Sequence, residues 1–197
     1  MMDRESISSA HLVGLSGGGF LSLALALDSA PRIRSLVVIG AAAHCDAHTR
    51  AVGENWAETY RKEGYDAYIL RLLKDLYSPD WMEAHLDYAD RLRAQEKNRN
   101  LDGPIRWGLA IRSFDVRGRL AKIKAPTLVV QGMDDQVVDP SHARLLRQAI
   151  PGSELKLFPN TGHMVPIEHP TEVAAAARGL IVRAEASGRT EPERTSV

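Results

Sequence analysis

The chain predicts an α/β fold: a mostly parallel sheet of about four strands, helices on both faces, and an inserted helical cap. Three observations carry that expectation. Short runs rich in β-forming residues recur at 10–15 (AHLVGL), 33–40 (IRSLVVIG), 125–132 (APTLVVQG) and 154–159 (ELKLFP). The first three are almost continuously apolar, as strands covered on both faces of a parallel sheet are. Helical patterns follow them: GGFLSLALALDSA after the first, PSHARLLRQAI after the third and HPTEVAAAARGLIVRAEA near the end, with Pro and Gly at the boundaries. Such alternation calls for right-handed crossovers. The third observation is an interruption. From His44 to about Leu120 the strand signal lapses, and NWAETYRKEG, DAYILRLLKDLY, PDWMEAHLDYADRLRAQEKNR and IRWGLAIRSF read as helices. A connection of roughly seventy residues far exceeds an ordinary crossover, so the segment reads as a cap over the end of the sheet. The expected organisation is a core from 1–43 and 121–183, a helical cap at 44–120, and a flexible polar tail at 184–197.

Composition narrows the function classes. The 197 residues are 44% hydrophobic and carry 25 basic and 25 acidic side chains, so the chain can bury a core yet has no net field to attract nucleic acid or anionic lipid. Neither a nucleic acid nor a membrane is expected as partner. Cys45 is the single cysteine and cannot form an internal disulfide, which fits a reducing compartment. The Met-Met-Asp-Arg-Glu start lacks the layout of a secretory signal, and no apolar run approaches the roughly 18–20 residues of a membrane span. The expected location is the cytoplasm.

The stretch HLVGLSGGGF (11–20) passes from strand to helix with no loop between them. A serine at the tip of so tight a turn needs small neighbours, and a bulky side chain at Gly14 or Gly18 is expected to collide with the adjoining strand and helix. This is the G-x-S-x-G nucleophile elbow, here Gly14-Leu15-Ser16-Gly17-Gly18. It lifts the Ser16 hydroxyl above the sheet edge at a helix N-terminus, where the Gly17 amide points at developing negative charge. An alcohol is almost un-ionised at neutral pH, so a base and a group to orient that base are required. Both occur downstream. Asp134 and Asp135 follow the third strand in LVVQGMDDQVVDP, and His163 lies in a loop after the fourth in LKLFPNTGHMVPIEHP. The active crevice of a parallel sheet lies outside the carboxyl ends of its strands, so all three loops fall on one rim.

These motifs, GLSGGG, VVQGMDD and NTGHMVPIEHP, resemble the α/β-hydrolase fold family, specifically its capped esterases, lactonases, carbon–carbon bond hydrolases and haloperoxidase-like enzymes, over about His11 to Ile181. The resemblance implies a Ser16–His163–Asp135 triad. Asp135 is preferred over Asp134 because the family's acid falls on Gly-x-x-Asp, and His163 over His169 because its base follows a glycine. It also implies Gly17 as an oxyanion donor, no cofactor and no metal, and a small, mostly apolar ester, lactone or related carbonyl substrate cleaved through an acyl-enzyme. Leu15, Met164, Trp56 and Trp107 are the expected substrate contacts. Asp46 is the alternative triad acid, because some members carry it after the second strand.

Two further points stand beside that reading. HCDAH (44–48) holds ligand-type residues, and His44 and His48 would share a face if helical; without a second ligand pair the segment is not expected to bind metal. Only fifteen residues precede Ser16, whereas the family carries strands and a His-Gly-type oxyanion loop there. The chain therefore reads as entering the fold midway, with a homo-oligomer or a complementing chain expected to cover the exposed edge of the first strand. A non-catalytic ligand- or partner-binding remnant is the alternative function.

Overall fold

The computed structural model describes residues 2–96, 106 and 108–188. Its sheet has four parallel strands, β1 (Ala10–Leu15), β2 (Ile33–Ile39), β3 (Thr127–Gly132) and β4 (Glu154–Phe158), side by side in sequence order. Each coincides with one of the apolar runs. Alternation within the strands divides the core into two layers, because successive side chains leave opposite faces. Leu36 and Val38 of β2 and Val129 of β3 pack with Phe20, Leu23 and Ala26 of α1 (Gly17–Asp28) and with the helix after β3. Val37, Ile39, Leu128 and Val130 face the other way, onto the C-terminal helix.

Between β2 and β3 the chain runs through α2 (Ala47–Glu63), α3 (Tyr65–Leu76), α4 (Pro79–Ala84) and α5 (Tyr88–Glu96). Each start has a local reason. The Asp46 carboxylate accepts from the Thr49 amide at the head of α2, and the Ser78 hydroxyl accepts from the Trp81 amide, with Pro79 in the first turn of α4. Ile69, Leu73 and Tyr77, with Tyr65, Tyr68 and Trp81 around them, form a separate apolar cluster, so most of the aromatics in this segment serve its own packing. Buried Asp75 accepts from Trp56 Nε1 and Arg71 Nε, both at 2.8 Å, tying α2 to α3.

After β3 come α6 (Ser141–Ala149), then β4, a one-turn α7 (Val165–Glu168) and α8 (Pro170–Gly188). Helix α8 extends to Gly188, where a tail was expected from 184: its alanines propagate the helix, and Glu185 bonds His11 of β1. The rest of that tail lies outside the described residues. Strand β1 is one edge of the sheet, and its Val13 is 57% exposed. No helix among the described residues is long and apolar enough to cross a membrane.

Candidate active site

Ser16 sits between β1 and α1 with φ 53° and ψ −120°, a left-handed conformation that an L-residue adopts only under constraint. The constraint is local. Its amide donates to the Ile39 carbonyl at the end of β2 (2.8 Å), while its own carbonyl accepts from the Gly19 and Phe20 amides as α1 begins. The hydroxyl is left without a hydrogen bond to any described residue and lines a cavity of about 530 Å³ together with Gly17. The first amides of a helix have no intrahelical carbonyl, so Gly17 offers a free donor there.

The glycine requirement differs in one respect from the sequence expectation. A Cβ on Gly14 would lie 2.3 Å from the Gly18 carbonyl oxygen and 2.5 Å from Ser22 Oγ, so Gly14 is indispensable as expected. A Cβ on Gly18 would meet nothing within 4 Å. The close approach falls one residue later, where a Cβ on Gly19 would lie 2.6 Å from Ala41 Cβ. Position 18 contributes its backbone to the tight packing, and its Cβ direction is open.

His163 is 1% exposed and Asp135 4%, and His163 Nδ1 is 2.7 Å from Asp135 Oδ2. That carboxylate is fully engaged: Oδ1 accepts from the Val137 and Val138 amides at 2.8 and 2.9 Å, and Oδ2 also accepts from Gln131 Nε2 at 2.6 Å. Four contacts directed at one buried carboxylate fix its orientation. With Nδ1 committed, the other ring nitrogen, Nε2, is buried and has no partner among the described residues. The imidazole rests on Gly40, where a Cβ would lie 3.0 Å from Cε1 and 3.1 Å from Nδ1. Ile39, the residue before Gly40, holds the Ser16 amide. Ser16 and His163 therefore flank the same two residues at the end of β2.

The alternatives separate cleanly. Asp134 is exposed. Asp46 pairs with His142 Nε2 (3.0 Å) rather than with His163. Burial opposes its charge, but the Thr49 amide and His142 outweigh burial and hold its pKa at about 2, below the ordinary 3.8. His169 ends α7 and reaches Thr161 Oγ1 (2.9 Å), a supporting role in the loop. His44 precedes α2 and bridges to Asp115, so it shares no helical face with His48, whose Nε2 lies 2.9 Å from the Gln136 carbonyl. No group of metal-ligating side chains occurs among the described residues.

Of the expected substrate contacts, Trp56 lines the cavity. Leu15 and Met164 do not: Leu15 packs into the core layer beneath α8, and Met164 into the apolar cluster of α3–α5. Each neighbours a site residue in sequence, but its side chain leaves the backbone in another direction. Trp107 lies outside the described residues.

Three residues that the sequence reading overlooked build the site. Gln131 is a fully buried polar residue following the apolar run Leu128–Val130 of β3, which is itself a signal. Gly40 has φ 54° directly after β2. Glu168 accepts from the Gly162 and Ser78 amides at 3.0 and 3.1 Å and from the Ser78 hydroxyl, fastening the His163 loop to the turn between α3 and α4. The Met164 amide adds a bond to the Leu76 carbonyl of the same turn (3.0 Å). Nothing in the sequence around Glu168 announces that link.

Comparison with known proteins agrees with this architecture. A family model described as the alpha/beta hydrolase fold matches residues 1–170. A protein whose name assigns it to the RutD carbamate hydrolases, from Caulobacter sp. (strain K31), is 30% identical over 186 residues, covering 92% of this chain and 68% of the relative. Its namesake from Variovorax paradoxus (strain S110) is 31% identical over 188 residues with the same coverage. Among solved structures, MGS-M2, an alpha/beta hydrolase enzyme from a Medee basin deep-sea metagenome library, superposes with a TM-score of 0.86 at 25% identity, over 99% of this chain and 70% of that one. The enol-lactonase from Burkholderia xenovorans LB400 gives 0.80 at 27% identity, over 92% and 68%. The chain thus spans about two thirds of the length of these relatives. Four parallel strands with flanking helices, a serine at a strand-to-helix turn and a matching family model agree: the chain belongs to the alpha/beta hydrolase fold family and is an enzyme of the hydrolase class.

Proposed function

We propose that the chain is a serine hydrolase that cleaves a small ester, lactone or related carbonyl compound through an acyl-enzyme, with Ser16 as nucleophile, His163 as base and Asp135 as the acid that orients it. The observation that carries this reading is the buried imidazole. Its Nδ1 is committed to Asp135 and its Nε2 is unpartnered, beside the turn that presents a free serine hydroxyl.

In this reaction Nε2 takes the Ser16 proton as Oγ bonds to the substrate carbonyl carbon, and the resulting oxyanion faces the Gly17 amide. The imidazolium then gives that proton to the leaving group as the carbonyl re-forms. Water, deprotonated by the same nitrogen, releases the acid and restores the hydroxyl. Asp135 keeps its bond to Nδ1 throughout and stabilises the charged ring. Phe20, Trp56, Val137 and Val138 supply an apolar wall suited to the body of a small acyl compound. The enol-lactonase among the structural neighbours and the carbamate hydrolase name of the relatives support the same bond class.

The test is labelling with a fluorophosphonate probe followed by peptide mapping. Stoichiometric modification at Ser16, absent in Ser16→Ala and reduced by several orders of magnitude in rate in His163→Ala, is expected. A folded sample that stays unlabelled refutes the reading and favours a non-catalytic binding role.

A further inference from the structure

We propose that the substrate carries a carboxylate and that Arg50 is the group that receives it, an inference that rests on the serine hydrolase reading. The cavity that Ser16 lines is also lined by one face of α2, with Arg50, Glu54, Glu58 and Arg61 among its residues, and by Arg112. The two acids of that wall are already neutralised. Glu54 pairs with Arg112 at 2.7 Å, and Glu58 with Lys62 at 2.6 Å. Arg50 and Arg61 have no carboxylate within 4 Å among the described residues, so within that set both guanidinium groups are uncompensated.

They are not equivalent. Eleven residues of helix place Arg61 about 16 Å farther along the axis, whereas Arg50 belongs to the first turn of α2. There Arg50 lies against Cys45, which lines the cavity with Ser16 and Gly17. A cation in the first helical turn opposes the helix dipole. The natural partner, Asp46 four residues earlier, is taken: Oδ1 accepts from the Thr49 amide, and Oδ2 faces His142. Arg50 thus occupies an electrostatically unfavourable position with no acid among the described residues to compensate it. A planar guanidinium accepts a carboxylate through two parallel hydrogen bonds, so a bound anion supplies that compensation while fixing the orientation of the carbonyl.

The experiment compares mono-p-nitrophenyl glutarate with p-nitrophenyl pentanoate, esters of equal acyl length that differ in the terminal carboxylate. The wild-type chain is expected to prefer the anionic ester in kcat/KM. Arg50→Gln is expected to lower that preference about tenfold, mainly through KM for the anionic ester, because the loss of one charge-assisted pair is of that size. Arg144→Gln removes an exposed cation outside the cavity, and the preference is expected to stay. A preference ratio unchanged in Arg50→Gln overturns the proposal. If the wild-type chain hydrolyses neither ester and resists the fluorophosphonate probe, the serine hydrolase reading fails separately, and calorimetry with glutarate decides the carboxylate site. Binding weakened about tenfold by Arg50→Gln supports the site, and equal binding or none overturns it.

Discussion

Gly40→Ala tests the link between the end of β2 and the imidazole without touching any group that exchanges a proton. Two costs separate. Gly40 has φ 54°, and an L-residue held in that region loses about 1–2 kcal/mol. For a chain of this size that corresponds to a fall in Tm of about 2–8 °C. The second cost is steric: the new methyl would stand 3.0 Å from His163 Cε1 and 3.1 Å from Nδ1, tighter than ordinary van der Waals contact. Backbone on both sides is fixed by the sheet, so the ring yields by a few tenths of an ångström. Its Nδ1 is tied to Asp135 at 2.7 Å, so the displacement pivots Nε2 about that bond and, on the proposed mechanism, shifts it relative to the Ser16 hydroxyl. A misplacement of about 1 Å costs about a hundredfold, so a loss of about tenfold in kcat on p-nitrophenyl butyrate is expected, with KM little changed. Gly152→Ala is the control. It has φ 67° but a Cβ there meets nothing within 4 Å, so its Tm should fall comparably while kcat stays at the wild-type value. Equal kcat in the two variants would refute the argument that Gly40 is kept small for His163.

Two further outcomes follow from the same geometry. Gly18→Ala adds a methyl in open space inside a helix and should raise the urea midpoint by the equivalent of about 0.5–1 kcal/mol, whereas Gly19→Ala drives a methyl onto Ala41 and should lower it by about 1–3 kcal/mol. Asp46→Ala removes the cap of α2 and should cost about 1 kcal/mol at neutral pH. A carboxylate held at about 2 stabilises the fold above its unfolded value near 3.8, and that contribution disappears as pH falls through the folded value. The deficit of Asp46→Ala, followed by urea unfolding, should therefore shrink between pH 4 and pH 2.

What the sequence disclosed and what it concealed divide along a physical line. The strands were legible because the centres of β2 and β3, Leu36–Ile39 and Leu128–Val130, are buried on both faces and run apolar without interruption. Ser16, Asp135 and His163 were legible because each lies in turn-forming sequence just past a strand end, and a parallel sheet collects such ends on one rim. Gly40, Gln131 and Glu168 were not. Gly40 reads as any glycine closing a strand, and only the arrival of a histidine more than a hundred residues later gives it a role. Glu168 reads as an acid in a helical turn, while its partners are Ser78 and a glycine amide in its own loop. Leu15 and Met164 do not line the cavity for a related reason: adjacency along the chain says nothing about side-chain direction at a strained turn.

Those long-range contacts have a mechanical consequence. A Cβ on Gly162 would stand 2.7 Å from the Leu76 carbonyl oxygen and from the Tyr77 carbonyl carbon, so the loop bearing His163 lies flush against the turn between α3 and α4. Glu168 receives amides from both sides of that contact, and the Met164 amide adds a third bond across it. On the opposite side, the ring rests on Gly40 and is tied to Asp135, whose second oxygen is held by the backbone of residues 137 and 138. The His163 imidazole is thus positioned jointly by the sheet and by the helices inserted after β2. A change that loosens the α3–α4 turn acts on the imidazole directly, and one that disturbs only the exposed faces of α4 and α5 has no such path to it.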